Sequence, residues 1–401
     1  MSVVRYNIFL LLVATLLLSA CGERPQEQDA VDPGTPMTLH ENLVISSGDE
    51  GGSAPFLTFV NDLAVDRQGA IYVYVGTDGI NEIYKFDREG TYIQTLGGEG
   101  RGPGEHQNIT AMYVDSNNRL ITADFDNARL TMFDQTGDVL RSEPAPGINR
   151  IVQIRELPDG RFVLIGWNEE SQSMAHVVSR NFSRLEESVG EAERVIPWFE
   201  DEMEKRFLTN QAGKAVVTGE RAFVFIPSTY AGKLHLYTDE GEGYQWARAV
   251  EGYQTIDPPL QFGSSDDPPP RIDAMLMMRG GRSAIIMQHS VTFGMYPLRD
   301  GTYLHISYRF PEGEGDAGSS EGENSGTDGG REQKGAQLVI EHFSDSLELL
   351  RYTVTDTLDL GITQRKRPLW VDRSGQLYLA DNSDDSGSVV RRFQIVGLGL
   401  D

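Results

Sequence analysis

Residues 59–97 and 109–140 are one unit written twice. The first runs Phe59-Val-Asn-Asp-Leu-Ala-Val-Asp66, Gln68-Gly69, Ile71-Tyr-Val-Tyr-Val75, Ile83-Tyr-Lys-Phe-Asp87 and Glu89-Gly90. The second runs Ile109-Thr-Ala-Met-Tyr-Val-Asp115, Asn117-Asn118, Leu120-Ile-Thr-Ala-Asp124, Leu130-Thr-Met-Phe-Asp134 and Thr136-Gly137. Short alternating or fully apolar runs, separated by Gly, Asp and Asn, are strands joined by hairpin turns. A period of about 40–50 residues holding three or four such strands is that of a β-propeller blade. Each blade packs only on its neighbours, so a closed ring of this length is still one domain.

Four further blades follow the same outline. They are built on Ile151-Val-Gln-Ile154 with Phe162-Val-Leu-Ile165; Ala215-Val-Val-Thr218 with Phe223-Val-Phe-Ile226; Phe293-Gly-Met-Tyr296 with Tyr303-Leu-His-Ile306; and Leu369-Trp-Val371 with Leu377-Tyr-Leu-Ala380. The sixth shows three strands before the chain stops, while Leu39–Ile45 precedes blade one without a partner. The expected fold is all-β: a single six-bladed propeller over 38–401, with the N-terminal strand closing the last blade and leaving no free sheet edge.

Three insertions break the period. Trp198-Phe199, Met203 and Phe207-Leu208 within 186–210 have the spacing of a short amphipathic helix. Within 244–282, Pro268 to Met278 reads as a helix that starts on proline and stops at Gly280-Gly281. Residues 312–335 are mostly Gly, Glu, Ser and Asp and are expected to form a disordered loop inside blade five.

The start of the chain reads as processing rather than fold. Arg5 and the apolar run Ile8–Leu18 predict a signal peptide over residues 1–20. Leu18-Ser-Ala-Cys21 resembles the bacterial lipobox, which implies a diacylglycerol on Cys21, the chain's single cysteine. Residues 21–37 then form a flexible tether. The expected location is the cell envelope, lipid-anchored at the outer membrane and facing the periplasm or the surface. A formal charge of −25 makes a nucleic-acid partner unfavourable.

The linker Leu96-Gly-Gly-Glu-Gly-Arg-Gly-Pro-Gly-Glu-His106 and the run Asp124-Phe-Asp-Asn127-Ala-Arg129 carry a resemblance. With the Val-Asp turns, they resemble six-bladed NHL-like β-propeller lipoproteins of Bacteroidota and related bacteria. The resemblance implies fold more than activity, and its six-bladed relatives include lactonases and lyases. From the residues alone, the glycines let the backbone cross between blades, and Asp124 and Asn127 bond the turn backbone.

No HxH, HExxH or CxxC spacing and no Gly-x-Ser-x-Gly elbow occurs, so the sequence singles out no catalytic residue, cofactor or metal site. Repeat alignment puts Asn61, Thr110 and Arg367 at one end of the inner strands, with His289 just ahead of the fifth. These four form the candidate ligand face, with Met275, Met277 and Met278 on an insert beside it. The expected role is a ligand- or protein-binding module, its partner a small molecule or an envelope protein. The alternative is a lactonase-like hydrolase or lyase with a polar or metal site in the central channel.

Overall fold

The computed structural model describes residues 36–46, 48, 54–77, 79–191, 213–253, 260–264, 274–279, 282–288, 290–309, 337–356, 369–382 and 387–400. All lie in one compact unit, Gly34–Asp401. Six four-stranded antiparallel sheets form the blades. Their innermost strands are Val60–Val65, Ile109–Val114, Asn149–Glu156, Gly213–Gly219, Ser290–Pro297 and Leu369–Val371. Each contacts the next, and the sixth contacts the first, so the ring is closed.

Closure follows the expected route. Thr38–Ile45 pairs antiparallel with Val389–Val396, from Thr38 opposite Val396 to Ile45 opposite Val390, and supplies blade six with its outer strand. Met37, Leu39 and Ile45 pack into the cores on either side. A second tie joins the ends of the ring: Asn382 accepts from the Val60 N–H through Oδ1 at 3.0 Å and donates through Nδ2 to the Val60 carbonyl at 2.9 Å.

The repeated Val-Asp has a local cause. Asp66 Oδ1 accepts from the N–H groups of Gln68 and Ala70, Asp115 Oδ1 from Asn117 and Arg119, and Asp372 Oδ1 from Ser374 and Gln376. Each carboxylate caps the turn that leads into the second strand. The turn ends in the left-handed region, at φ +90° for Gly69 and +78° for Gly375, where glycine carries no Cβ penalty. Apolar residues alternate from there, and the cores lie between adjacent blades, as in the cluster of Val163, Val177, Phe223 and Tyr237.

Two expectations about the insertions change. Among the described residues there is no helix. The helix expected from Pro268 to Met278 is replaced by a strand, Ala274–Arg279, which pairs with Arg282–Gln288; Leu260–Ser264 flanks the other side of that second strand. Arg279 pairs with Arg282, so the two strands stand on either side of Gly280-Gly281, which lie outside the described residues. The insertion's first residues, Tyr244–Glu251, are the outer strand of blade four, and Leu185–Glu191 is the outer strand of blade three. The second expected helix (198–208), the loop 312–335, the signal peptide, Cys21 and the tether up to residue 35 lie outside the described residues.

Candidate functional site

The inner strands carry polar residues on the face turned to the ring axis. Counted from the turn, Asp62, Gln153 and Lys214 occupy one level, and Tyr113, Arg155, Tyr296 and Trp370 the level one step closer to the turns. Two residues along a strand separate the levels, about 6.6 Å. At the first level the side chains stitch blades together. Asp62 Oδ2 accepts from the Met112 N–H at 2.8 Å, Gln153 Oε1 from the Ala215 N–H at 2.5 Å, and Lys214 Nζ donates to the Val152 carbonyl at 3.3 Å.

At the second level Arg155 closes the channel. Its guanidinium carbon lies 5.6 Å from the Tyr113 ring centroid and 5.3 Å from that of Trp370. Blade three faces blade six across a six-membered ring, so this side chain reaches from one wall to the other. Its Nη1 donates to the Ile154 carbonyl at 2.9 Å, and among the described residues no carboxylate forms an ion pair with it. Tyr296 completes the floor, its hydroxyl donating to the Leu369 carbonyl at 2.8 Å and its ring 6.0 Å from Trp370.

Above this floor the channel widens into a funnel of about 1120 Å³. Its walls are the ends of the inner strands and the turns that follow, including Arg67, Ser116, Gly219, Arg299 and Arg373. Its lining stops at the level of Tyr113, Arg155, Tyr296 and Trp370 and does not include Asp62, Gln153 or Lys214. Its size reaches the upper range of small-molecule sites.

Burial sets the charge states beneath the floor. Asp62 and Lys214 keep some surface toward the channel, yet protein surrounds them closely. Burial pushes the Asp62 carboxyl up to about 6, against the opposing pull of the Lys214 ammonium, two backbone N–H donors and Arg155. The same burial holds Lys214 and Arg155 below their ordinary values, with Asp62 pulling both back up. Both cations therefore feel the Asp62 charge at a distance, not through an ion pair. Among the described residues no group of three or more His, Cys, Asp or Glu is placed to hold a metal.

Of the residues expected to form the ligand face, Asn61 and Thr110 stand at the opposite end of the strands from the funnel. Asn61 Oδ1 accepts from the Gly76 N–H at 2.7 Å within its own blade. Thr110 donates to the Ile151 carbonyl of the next blade at 2.5 Å. Both occur where the inner strand slips register against the second, between Val60 and Asp62 and between Ile109 and Ala111. Arg367 and His289 lie outside the described residues, as do the glycines of the methionine hairpin's turn. Trp370 packs between blades and also lines the funnel.

Asp124 and Asn127 do what their motif suggests. Asp124 accepts from the N–H groups of Gln107, Asn108 and Asn127, and Asn127 Nδ2 donates to the Gly100 carbonyl at 3.0 Å. Arg129 donates to the carbonyls of Arg101, Gly102 and Glu105. The motif braces the glycine-rich linker. Asp62, Arg155 and Lys214 were not singled out in the sequence. The repeat alignment places all three on inner strands, but nothing in the sequence marks them apart from other polar residues of those strands.

Comparisons with known proteins agree with this geometry. A family described as a 6-bladed beta-propeller, DUF5128, matches residues 63–229. A solved structure from Bacteroides vulgatus, a member of the DUF4221 family, superposes with a TM-score of 0.54 at 12% identity, covering 90% of this chain and 98% of that one. A putative exported protein from Bacteroides fragilis gives 0.50 at 9% identity, covering 93% and 98%. Virginiamycin B lyase from Staphylococcus aureus gives 0.44 at 10% identity, covering 90% and 100%. No curated protein matches the chain in sequence. The class is thereby defined: the chain is a six-bladed β-propeller. At these identities the likeness to the solved structures is one of fold.

Proposed function

We propose that this chain is a lipid-anchored propeller of the cell envelope, of the NHL-like lipoprotein kind, that works as a ligand-binding module. The carrying observation is the funnel of about 1120 Å³ with Arg155 between Tyr113 and Trp370 at its floor. Arginine, tyrosine and tryptophan hold ligands through forked donors and flat faces. The lipobox at Cys21 supports the anchor, and the outer membrane is the location proposed for it. Binding is favoured over the hydrolase or lyase reading because Asp62, whose carboxyl titrates near 6, lies below the closed floor, away from a ligand in the funnel.

A funnel block tests this reading. Gly219 is exposed at the funnel wall, and a Cβ added there meets nothing nearer than Ala222 Cβ at 3.7 Å, so the side chain of Gly219→Trp starts without a backbone clash. In a small-molecule panel read by thermal shift, compounds that raise the melting temperature of the full chain should lose that effect on Gly219→Trp. A panel that never shifts the wild type, or shifts both proteins alike, overturns the proposal.

A further inference from the structure

The turns at the funnel mouth repeat one position. In each, the residue pairing with the start of the second strand fixes the count: Val65 with Ile71, Pro297 with Tyr303, Val371 with Leu377. The second residue after it is Arg67 in blade one, Arg299 in blade five and Arg373 in blade six. The same step holds Ser116 in blade two and Pro158 in blade three. Blades five, six and one are consecutive around the ring, so the three arginines form a crescent on one side of the mouth. The turns of blades five and six touch directly, the Arg299 N–H donating to the Arg373 carbonyl at 2.8 Å.

All three side chains are exposed, and among the described residues none is held by a hydrogen bond or an ion pair. The carboxylates nearby are already engaged. Asp66, Asp115 and Asp372 cap their own turns, and Glu156 accepts from the Ser116 N–H at 2.6 Å and its hydroxyl at 2.9 Å. The lining as a whole holds six arginines against four carboxylates. That is a local excess of positive charge in a chain whose formal charge is −25.

Arg155 adds a cation where charge is expensive to place. It is 8% exposed and is flanked by rings rather than by a carboxylate. A buried cation without an ion pair is costly, and an incoming anion relieves that cost. Arginine's planar fork matches carboxylate, sulfate and phosphate oxygens.

Resting on the funnel as the ligand site, we propose that its ligand is a small organic polyanion. The crescent of Arg67, Arg299 and Arg373 holds its oxyanion groups at the mouth, and Arg155 holds one at the floor. Its flat apolar part lies against Tyr113 and Trp370. The funnel thus selects against the molecule's overall charge, which by itself attracts cations.

Calorimetric titration of the full chain with mellitate, inositol hexakisphosphate, spermine and trehalose tests this. One of the two polyanions should bind at one per chain and weaken as salt rises from about 50 to about 300 mM. The triple variant Arg67→Ser/Arg299→Ser/Arg373→Ser should lose roughly tenfold or more in affinity, since hydrogen bonds to charged groups are the strong ones. A control with the same change in net charge, Arg141→Ser/Arg184→Ser/Arg248→Ser, should bind like the wild type. Equal losses in the two variants overturn the crescent. Trehalose or spermine binding that Gly219→Trp abolishes, with no polyanion bound, overturns the anion but leaves the funnel as a ligand site. Binding of none of the four overturns both.

Discussion

Arg155 and Trp370 stand on opposite blades, and their contact, 5.3 Å from guanidinium carbon to indole centroid, closes the channel. Neither residue could do so from a neighbouring blade. The pair also separates two electrostatic compartments: the open funnel with its arginines, and the narrow channel where Asp62 and Lys214 face each other.

The variant Arg155→Met keeps the length of the stem and removes a cation that lacks an ion pair. Stability at neutral pH should be unchanged or higher by about 1 kcal/mol. The Asp62 carboxyl, relieved of one charge that lowers it, should titrate above its present value of about 6. Carbon-detected NMR of the Asp62 side chain measures this; a downward shift contradicts the coupling.

Acid should weaken the fold through three histidines. Burial pushes His106, His176 and His342 each down to about 4. Their unfolded value is near 6.5, so between about 6.5 and 4 the unfolded chain binds more protons. Their contribution is full above 6.5 and is lost as pH falls through about 4, with a slope of about three protons. Asp62 works the other way, because its raised value makes the folded form the better proton binder between about 4 and 6. These four groups together should contribute a slope of about two protons across that window. Among the described residues His106 finds no hydrogen-bond partner for either ring nitrogen, so His106→Leu should remove one proton from the slope. Urea titrations at several pH values check both, and a flat profile refutes the account.

Ring closure rests on few residues. Deleting 38–46 strips blade six of its outer strand and exposes its edge, and should cost several kcal/mol with aggregation visible by size exclusion. Asn382→Ala removes two hydrogen bonds across the same junction and should cost about 2 kcal/mol. Calorimetry showing either variant to be as stable as the parent would falsify this closure.

The proposed anchor has a simple test. Cys21→Ser should move the protein from the membrane fraction to the soluble one, or leave it with its signal uncleaved. Mature, membrane-bound Cys21→Ser protein would show that the lipobox is not what holds it.

The blade count and the closing strand were legible because Val-Asp turns and alternating apolar runs are local signals written in each repeat. The methionine hairpin was not, since Ala274–Arg279 contains good helix formers and a Gly-Gly pair that ends a helix or turns a hairpin equally well. Asn61 and Thr110 were placed correctly at the strand starts, but their polar atoms bond the backbone at register slips, a tertiary detail that spacing does not carry. Arg155 was invisible for a related reason. Its partner Trp370 is over two hundred residues away, and only closing the ring sets the two opposite each other. The arginine crescent, by contrast, was open to reading from the repeat alignment alone.

The pairing of Thr38 with Val396 puts the start of the closing strand at the same end of blade six as the Asp372–Gly375 turn, which belongs to the funnel mouth. Thr38 and the funnel mouth therefore share one face of the ring, so the proposed ligand enters on the face where the closing strand begins. The opposite ends of the inner strands, where Asn61 and Thr110 stand, belong to the other face.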